Sequence, residues 1–228
     1  MEFGTEVRFT LRMGGLARSF EGLHSDLFTE WLDAGDRSSM PVDPRLWTEG
    51  PLSSSYPACM AVKAAQDQDQ GLTLLRALQE GIFCFRRKLD GVEALIEEAR
   101  NAGLDATRFR IDVSSNATVE ALGNDLEETR AAEAALPSAR FGDDAWVRGP
   151  APYEDWRAAA IAAGASPVGE PAPDVEAALR RFGRMAEPEI EAVCDLAGPR
   201  ARAELWRLAS EWRAKPTRVL TGWLWEPA

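Results

Sequence analysis

The chain has 228 residues, 45% of them hydrophobic, and a formal charge of −11. That length suits one large domain, or one domain with a small appendage. The acidic balance argues against a general nucleic-acid surface, which needs clustered lysine and arginine. No apolar run of about 18 residues or more marks a membrane span. The N-terminus has no basic-then-apolar signal pattern.

The first five residues, Met1-Glu2-Phe3-Gly4-Thr5, read either as a cloning remnant or as a natural start. Glu6 to Met13 alternates, with Val7, Phe9 and Leu11 against Arg8, Thr10 and Arg12. That pattern predicts a strand with one buried face, ended by Gly14-Gly15. Phe20 to Trp31 reads as a helix through Leu23, Leu27 and Trp31. Ala34 to Ser55 is rich in Gly, Pro, Ser and Asp and reads as loop.

Ser53-Ser54-Ser55 offers a helix cap and Pro57 suits a first turn. Ala58, Met60, Ala61, Ala64 and Ala65 then recur at helical spacing. Gly71 breaks the run, and Leu72, Leu75, Leu78, Ile82 and Phe83 make a second apolar face. Further helices are predicted over Val92–Ala102, Asp105–Val113 and Ala117–Ala135. Ala139–Phe141 and Ala145–Arg148 read as a hairpin turning at Gly142-Asp143-Asp144. Glu154–Ala163 is again helical. Ser166 to Pro173 is a linker of proline, glycine and small residues. Beyond it, helices are expected over Asp174–Arg184, Met185–Leu196 and Ala201–Trp212. Val219–Trp225 reads as a strand or a packing tail.

The Ser-Ser-x-Pro-Ala start, the Ala-rich helix and the Leu-rich helix with Phe83 resemble the helical insertion of DsbA-like thioredoxin-fold proteins. The nearest branch is that of FrnE and the 2-hydroxychromene-2-carboxylate isomerases. A strand ending in Met13-Gly14-Gly15-Leu16, and Pro137 where the fold places a cis-proline, match the same pattern. The resemblance implies an α/β thioredoxin-like fold of DsbA type. It would comprise a domain over 6–165 with its insertion at about 51–135, a linker at 166–173 and a small helical appendage at 174–228. It also implies thiol-disulfide oxidoreductase or glutathione-dependent isomerase ancestry.

The chemistry that names the family is missing. No Cys-x-x-Cys, Cys-x-x-Ser or Ser-x-x-Cys occurs, and the first strand and its thiol-bearing helix are not found in the sequence. The chain therefore reads as a truncated or non-redox member acting through a groove and a dimer interface. A homodimer, domain-swapped in one version, would cover the surface that an absent strand leaves open.

Cys59, Cys84 and Cys194 stand far apart in sequence. That spacing argues against a disulfide scaffold and fits a reducing, cytoplasmic compartment. Each reads as a small buried hydrophobe. His24, the one histidine, has no nucleophile motif to serve and is a weak catalytic candidate beside Arg12. One histidine and scattered cysteines make no metal site. Met13, Gly14, Gly15, Arg18 and Pro137 are the candidate groove, and Arg12, Gly14, Gly15 and Arg18 could meet an anion, glutathione being the family-type ligand. Other cofactors are not expected. Two other readings stay open: a non-redox isomerase or hydrolase, and a helix-turn-helix regulator built on Glu189–Val193, Gly198-Pro199 and Ala201–Trp212. Residues 174–228 hold nine basic and nine acidic side chains, which is poor for a DNA reader.

Overall fold

The computed structural model describes residues 2–4, 7–143 and 145–228. In chain order the helices are α1 (His24–Ser38), α2 (Leu46–Glu49), α3 (Tyr56–Gln66), α4 (Gly71–Gln79), α5 (Val92–Asn101), α6 (Ala106–Asp112), α7 (Asn116–Ala131), α8 (Tyr153–Ala162), α9 (Val175–Phe182), α10 (Glu187–Cys194) and α11 (Gly198–Ser210). A π-helical turn, Glu80–Cys84, follows α4. The strands are β1 (Ser138–Phe141), β2 (Ala145–Arg148), β3 (Met185–Ala186), β4 (Ala214–Arg218) and β5 (Trp223–Pro227).

The chain divides into two compact units, each assembled from three stretches. One takes residues 1–19, 54–75 and 90–170. The other takes 20–53, 76–89 and 171–228.

In the first unit, α3 packs on α7 and α5 on α6, around Ala61, Ala65, Leu95, Ile96, Phe109 and Leu122. Small alanines let α3 lie close to its neighbours. Side chains fix where α6 and α7 begin. Asp105 accepts from the N–H groups of Thr107 and Arg108, and Ser115 from that of Thr118 at 3.1 Å, each satisfying donors that the helix itself cannot. β1 and β2 form the expected antiparallel hairpin, Ser138 opposite Arg148 and Phe141 opposite Ala145. Asp144 of its turn lies outside the described residues.

The strand expected over Glu6–Met13 does not form in the described part, residues 7–13. Alternation supplies a face but not a partner, and a strand exists only through its ladder. Among the described residues no neighbouring strand offers one. The polar bonds of this stretch go to side chains instead, Gln66 Nε2 donating to the Leu11 carbonyl and the Met13 N–H to Asp125.

The second unit departs further from the sequence reading. α1 begins at His24 rather than Phe20 and runs on to Ser38, into the stretch read as loop. Gly35 is what permits this. It is buried, and a Cβ there would meet Val42 at 2.7 Å, so only glycine lets the helix and the Met40–Val42 stretch approach. The short α2 follows, carrying Leu46 and Trp47, both 1% exposed. Phe20, Trp31 and Trp47 pack edge to face, with centroids 5.0 and 5.3 Å apart.

The C-terminal stretch is not purely helical. Its order is α9–β3–α10–α11–β4–β5, and the strands make a sheet in the order β3-β5-β4. Hydrophobic β5 is the central strand and Pro216 sits in an edge strand, where its missing N–H costs no ladder bond. Nor is this stretch a free appendage. Ala186, Val219 and Leu224 share a core with Cys84, Met40 and Phe85. Gly198-Pro199, read as the turn of a helix-turn-helix, instead opens α11; the link between α10 and α11 is Asp195–Ala197, with Asp195 in the left-handed region. Among the described residues no helix is long and apolar enough to cross a membrane.

Candidate functional site

In the first unit, the segment Arg12–Ala17 is held by polar contacts from α7 and from the residues that start α3. The Met13 N–H donates to Asp125 Oδ2 at 2.9 Å. Asp125 is 3% exposed and is also paired with Lys63, 2.9 Å away with a side chain 10% exposed. Arg12 reaches the same carboxylate at 3.6 Å and Glu128 at 2.7 Å. Further along, the Ala17 N–H donates to Ser55 Oγ, while Ser54 Oγ donates to the Ala17 carbonyl. Ser55, at the cap position of α3, makes no side-chain cap bond and serves this segment instead, while Ser54 Oγ also accepts from the Tyr56 N–H.

Two glycines bring that segment close. Gly15 has φ +59, and a side chain on it would collide with Leu126 and Tyr56; one on Gly14 would meet Leu136 at 2.3 Å. Leu136 and Pro137 follow α7 and lead into β1, and the bond between them is cis, as expected for that position. Leu136 is 41% exposed, Leu16 is 79% exposed, and Pro137 is exposed. Met13 lies beneath, 8% exposed. Gly14, Leu136 and Pro137 therefore form one apolar, solvent-facing patch, built on the buried Asp125–Lys63 pair.

The structure brings Met13, Gly14 and Gly15 together with Leu136, the residue before Pro137. It does not bring a free cation there on Arg12, whose guanidinium is taken by two carboxylates. Arg18 is exposed. His24 belongs to the other unit, at the start of α1, its ring 6.2 Å from that of Trp47. Leu16, Leu136, Asp125 and Lys63 were not read from the sequence as parts of a site. The signal available was the Met-Gly-Gly-Leu and Leu-Pro adjacency; nothing in the linear sequence joins Met13–Leu16 to α7.

The thiols are poor nucleophiles. Burial, with the charge of Asp125, pushes the Cys59 thiol up, against a hydrogen bond with the Gly15 backbone. Burial takes Cys84 to about 12 and raises Cys194. All three are unpaired. Nucleophilic cysteines need the opposite shift. Among the described residues no group of His, Cys, Asp and Glu is arranged to hold a metal ion.

A family model described as thioredoxin matches residues 1–145. The chain belongs to the thioredoxin family. A solved structure from Nitrosomonas europaea, provisionally named a protein disulfide isomerase, shares the fold: 15% identity, TM-score 0.57, covering 65% of this chain and 78% of that one. The DsbA-like resemblance read from the sequence stands with it. Among curated proteins, the chain is similar to the ClpXP adapter protein SpxH of Halalkalibacterium halodurans, 29% identical over 88% of this chain and 69% of the relative. It is also similar to the protein of the same name from Bacillus subtilis, 28% identical over 86% of this chain and 70% of the relative.

Proposed function

We propose that this protein is a cytoplasmic adapter that holds a client protein through the patch at Gly14, Leu136 and Pro137 and presents it to ClpXP. It would do so without thiol chemistry of its own. The observation that carries the reading is the similarity, over more than four-fifths of the chain, to proteins named ClpXP adapter. The site chemistry supports it. The patch is apolar and open to solvent, which suits a protein partner. Its nearest thiol, Cys59, is shifted away from reactivity, and no dithiol motif is present in the sequence. The C-terminal helices support a protein partner over a nucleic acid. On α11, Arg202 is paired with Glu187 and Arg207 with Glu204 and Glu211, leaving little positive charge for phosphates.

The test identifies proteins retained by the immobilised chain and follows the loss of each with purified ClpXP and ATP, with and without added adapter. Faster loss with the wild-type chain, and not with Leu136→Asp or Pro137→Asp, is the expected result. Client loss that ignores the chain, or insulin-disulfide reduction at the rate of a dithiol oxidoreductase, would overturn the proposal.

A further inference from the structure

The second unit contains a cavity of about 260 Å³. One wall is the face of α1 that carries Trp31 and Gly35. The opposite wall is the π-helical turn with Phe83 and Cys84, and Val42 and Leu224 complete the lining. A π turn adds a residue to the ladder and pushes one side chain out of helical register, and such turns gather at functional sites. Here the turn sets the Phe83 ring against Trp31, centroids 4.5 Å apart and tilted by 44°. Phe83 remains 38% exposed, so the aromatic wall is open to solvent.

The charged groups, the thiol and the serine hydroxyl on the wall already have partners. Glu80 is paired with Arg76 at 2.7 Å and with Arg184 at 3.0 Å, and Arg76 also holds Glu189 at 2.6 Å. The Cys84 thiol donates to the Pro41 carbonyl, and its pKa of about 12 keeps it protonated and uncharged at neutral pH. Ser38 Oγ donates to the Ala34 carbonyl. A charged ligand would find no unpaired counter-charge here and would lose its hydration without return. A flat apolar ring would find aromatic faces and aliphatic methyls at contact distance.

From the shape and lining of this cavity we infer a binding site for an uncharged aromatic small molecule of one to three rings. The inference goes beyond the adapter reading and does not depend on it, since every lining residue belongs to the second unit. The volume sits just below the usual range for ligand pockets, which limits the ligand to small molecules of this class.

The test uses N-phenyl-1-naphthylamine, an uncharged probe that brightens in apolar surroundings, on the full chain. Saturable binding at one probe per chain is expected, with at least tenfold weaker binding of the sulfonated analogue 8-anilinonaphthalene-1-sulfonate. Ala34→Phe should abolish probe binding while leaving the far-ultraviolet circular dichroism unchanged. Ala34 is exposed on α1 and faces the cavity. If that variant does not fold, Ser38→Phe fills the cavity from the exposed end of the same helix. Probe occupancy should also slow alkylation of Cys84 but not of Cys194. Binding that does not saturate, that survives both blocking substitutions, or that favours the sulfonated probe overturns the inference. The blocking variants keep the Leu136–Pro137 patch intact. Failure here therefore leaves the adapter reading standing, and failure of client delivery leaves this site standing.

Discussion

Both units use charge to hold a piece of chain that regular structure does not hold, and they do it at different depths. In the first, one carboxylate, Asp125, takes the Met13 N–H and Lys63 with its side chain 4% exposed. In the second, Arg76, Arg184 and Lys215 share Glu80, Glu189 and Glu226. There the arginines keep about a third of their side-chain surface in water, 34% and 32%. The second arrangement has more ion pairs, three of them shorter than the 2.9 Å of Lys63–Asp125. The first should matter more to stability, because an ion pair's consequence when broken follows from what is left buried rather than from how many bonds are drawn.

Removing one partner tests that ranking most severely. Asp125→Ala leaves the Lys63 ammonium buried and uncompensated and the Met13 N–H without its acceptor. A loss of about 3–5 kcal/mol is expected, as for other broken buried pairs, read as a fall in the urea midpoint at constant slope. Asp125→Asn keeps an acceptor for Met13 and should lose less. Equal losses in the two variants would mean that the hydrogen bond to Met13 is not what holds this segment.

Arg76→Met addresses the other side of the comparison. It breaks contacts to Glu80, Glu189 and the Arg184 carbonyl, but Glu80 keeps Arg184 as a partner and Glu189, 29% exposed, is reached by water. A loss of about 1–3 kcal/mol is expected once exposure is allowed for. The pH dependence carries a sign. Burial pushes the Glu226 carboxyl up, but hydrogen bonds from Arg184 and Lys215 outweigh it and leave it below its ordinary 4.5. A carboxyl lowered in the folded state stabilises above its unfolded value and loses that contribution as pH falls through the folded one. The thermal midpoint should therefore drop on acidifying below about 4.5, and Glu226→Gln should flatten that part of the curve. Cys84 acts at the other end. Its thiol is raised from 9.0 to about 12, so stability should fall as pH climbs from 9 toward 12. Cys84→Ala removes that alkaline slope.

The contrast also shows what was legible. α5, α6, α7 and the β1–β2 hairpin lie within a few residues of where periodicity and turn chemistry put them, because each is decided locally by a cap, an apolar face or a turn. Pro137 and the Met13–Gly15 segment were legible only through family resemblance. What escaped was whatever depends on a distant partner. Residues 7–13 alternate like a strand but find no ladder. Gly35 looks like punctuation, yet it is the residue that lets α1 continue against Val42. The C-terminal sheet escaped because β3 is two residues long and β4 carries a proline, so only β5 had a visible signal. Asp125 stands mid-helix among other charges, and nothing local marks it as the carboxylate that α3 and Met13 share.

A single cap bears on the comparison with one bond and little burial. Ser115→Ala removes the acceptor of the Thr118 N–H at the start of α7, the helix that carries Asp125. About 1 kcal/mol is expected from the cap itself. Combined with Asp125→Ala, the losses should add, since the two sites lie nearly three helical turns apart and share no partner. Marked non-additivity would show that the α7 start and the buried pair are coupled.

The smallest effect is expected where the second unit buries a polar atom with nothing to hold it. Trp47 is 1% exposed, and its Nε1–H finds no acceptor among the described residues. Trp47→Phe removes an unsatisfied donor, which favours the variant, and leaves a gap the width of a pyrrole ring, which opposes it. The two should nearly cancel, to within about 1 kcal/mol, whereas Trp47→Ala should cost about 3–5 kcal/mol by emptying the whole site between Phe20 and Trp31. A large loss in Trp47→Phe would mean that the indole N–H is satisfied by ordered water. The second unit would then hold a buried polar contact comparable to the one Asp125 makes in the first.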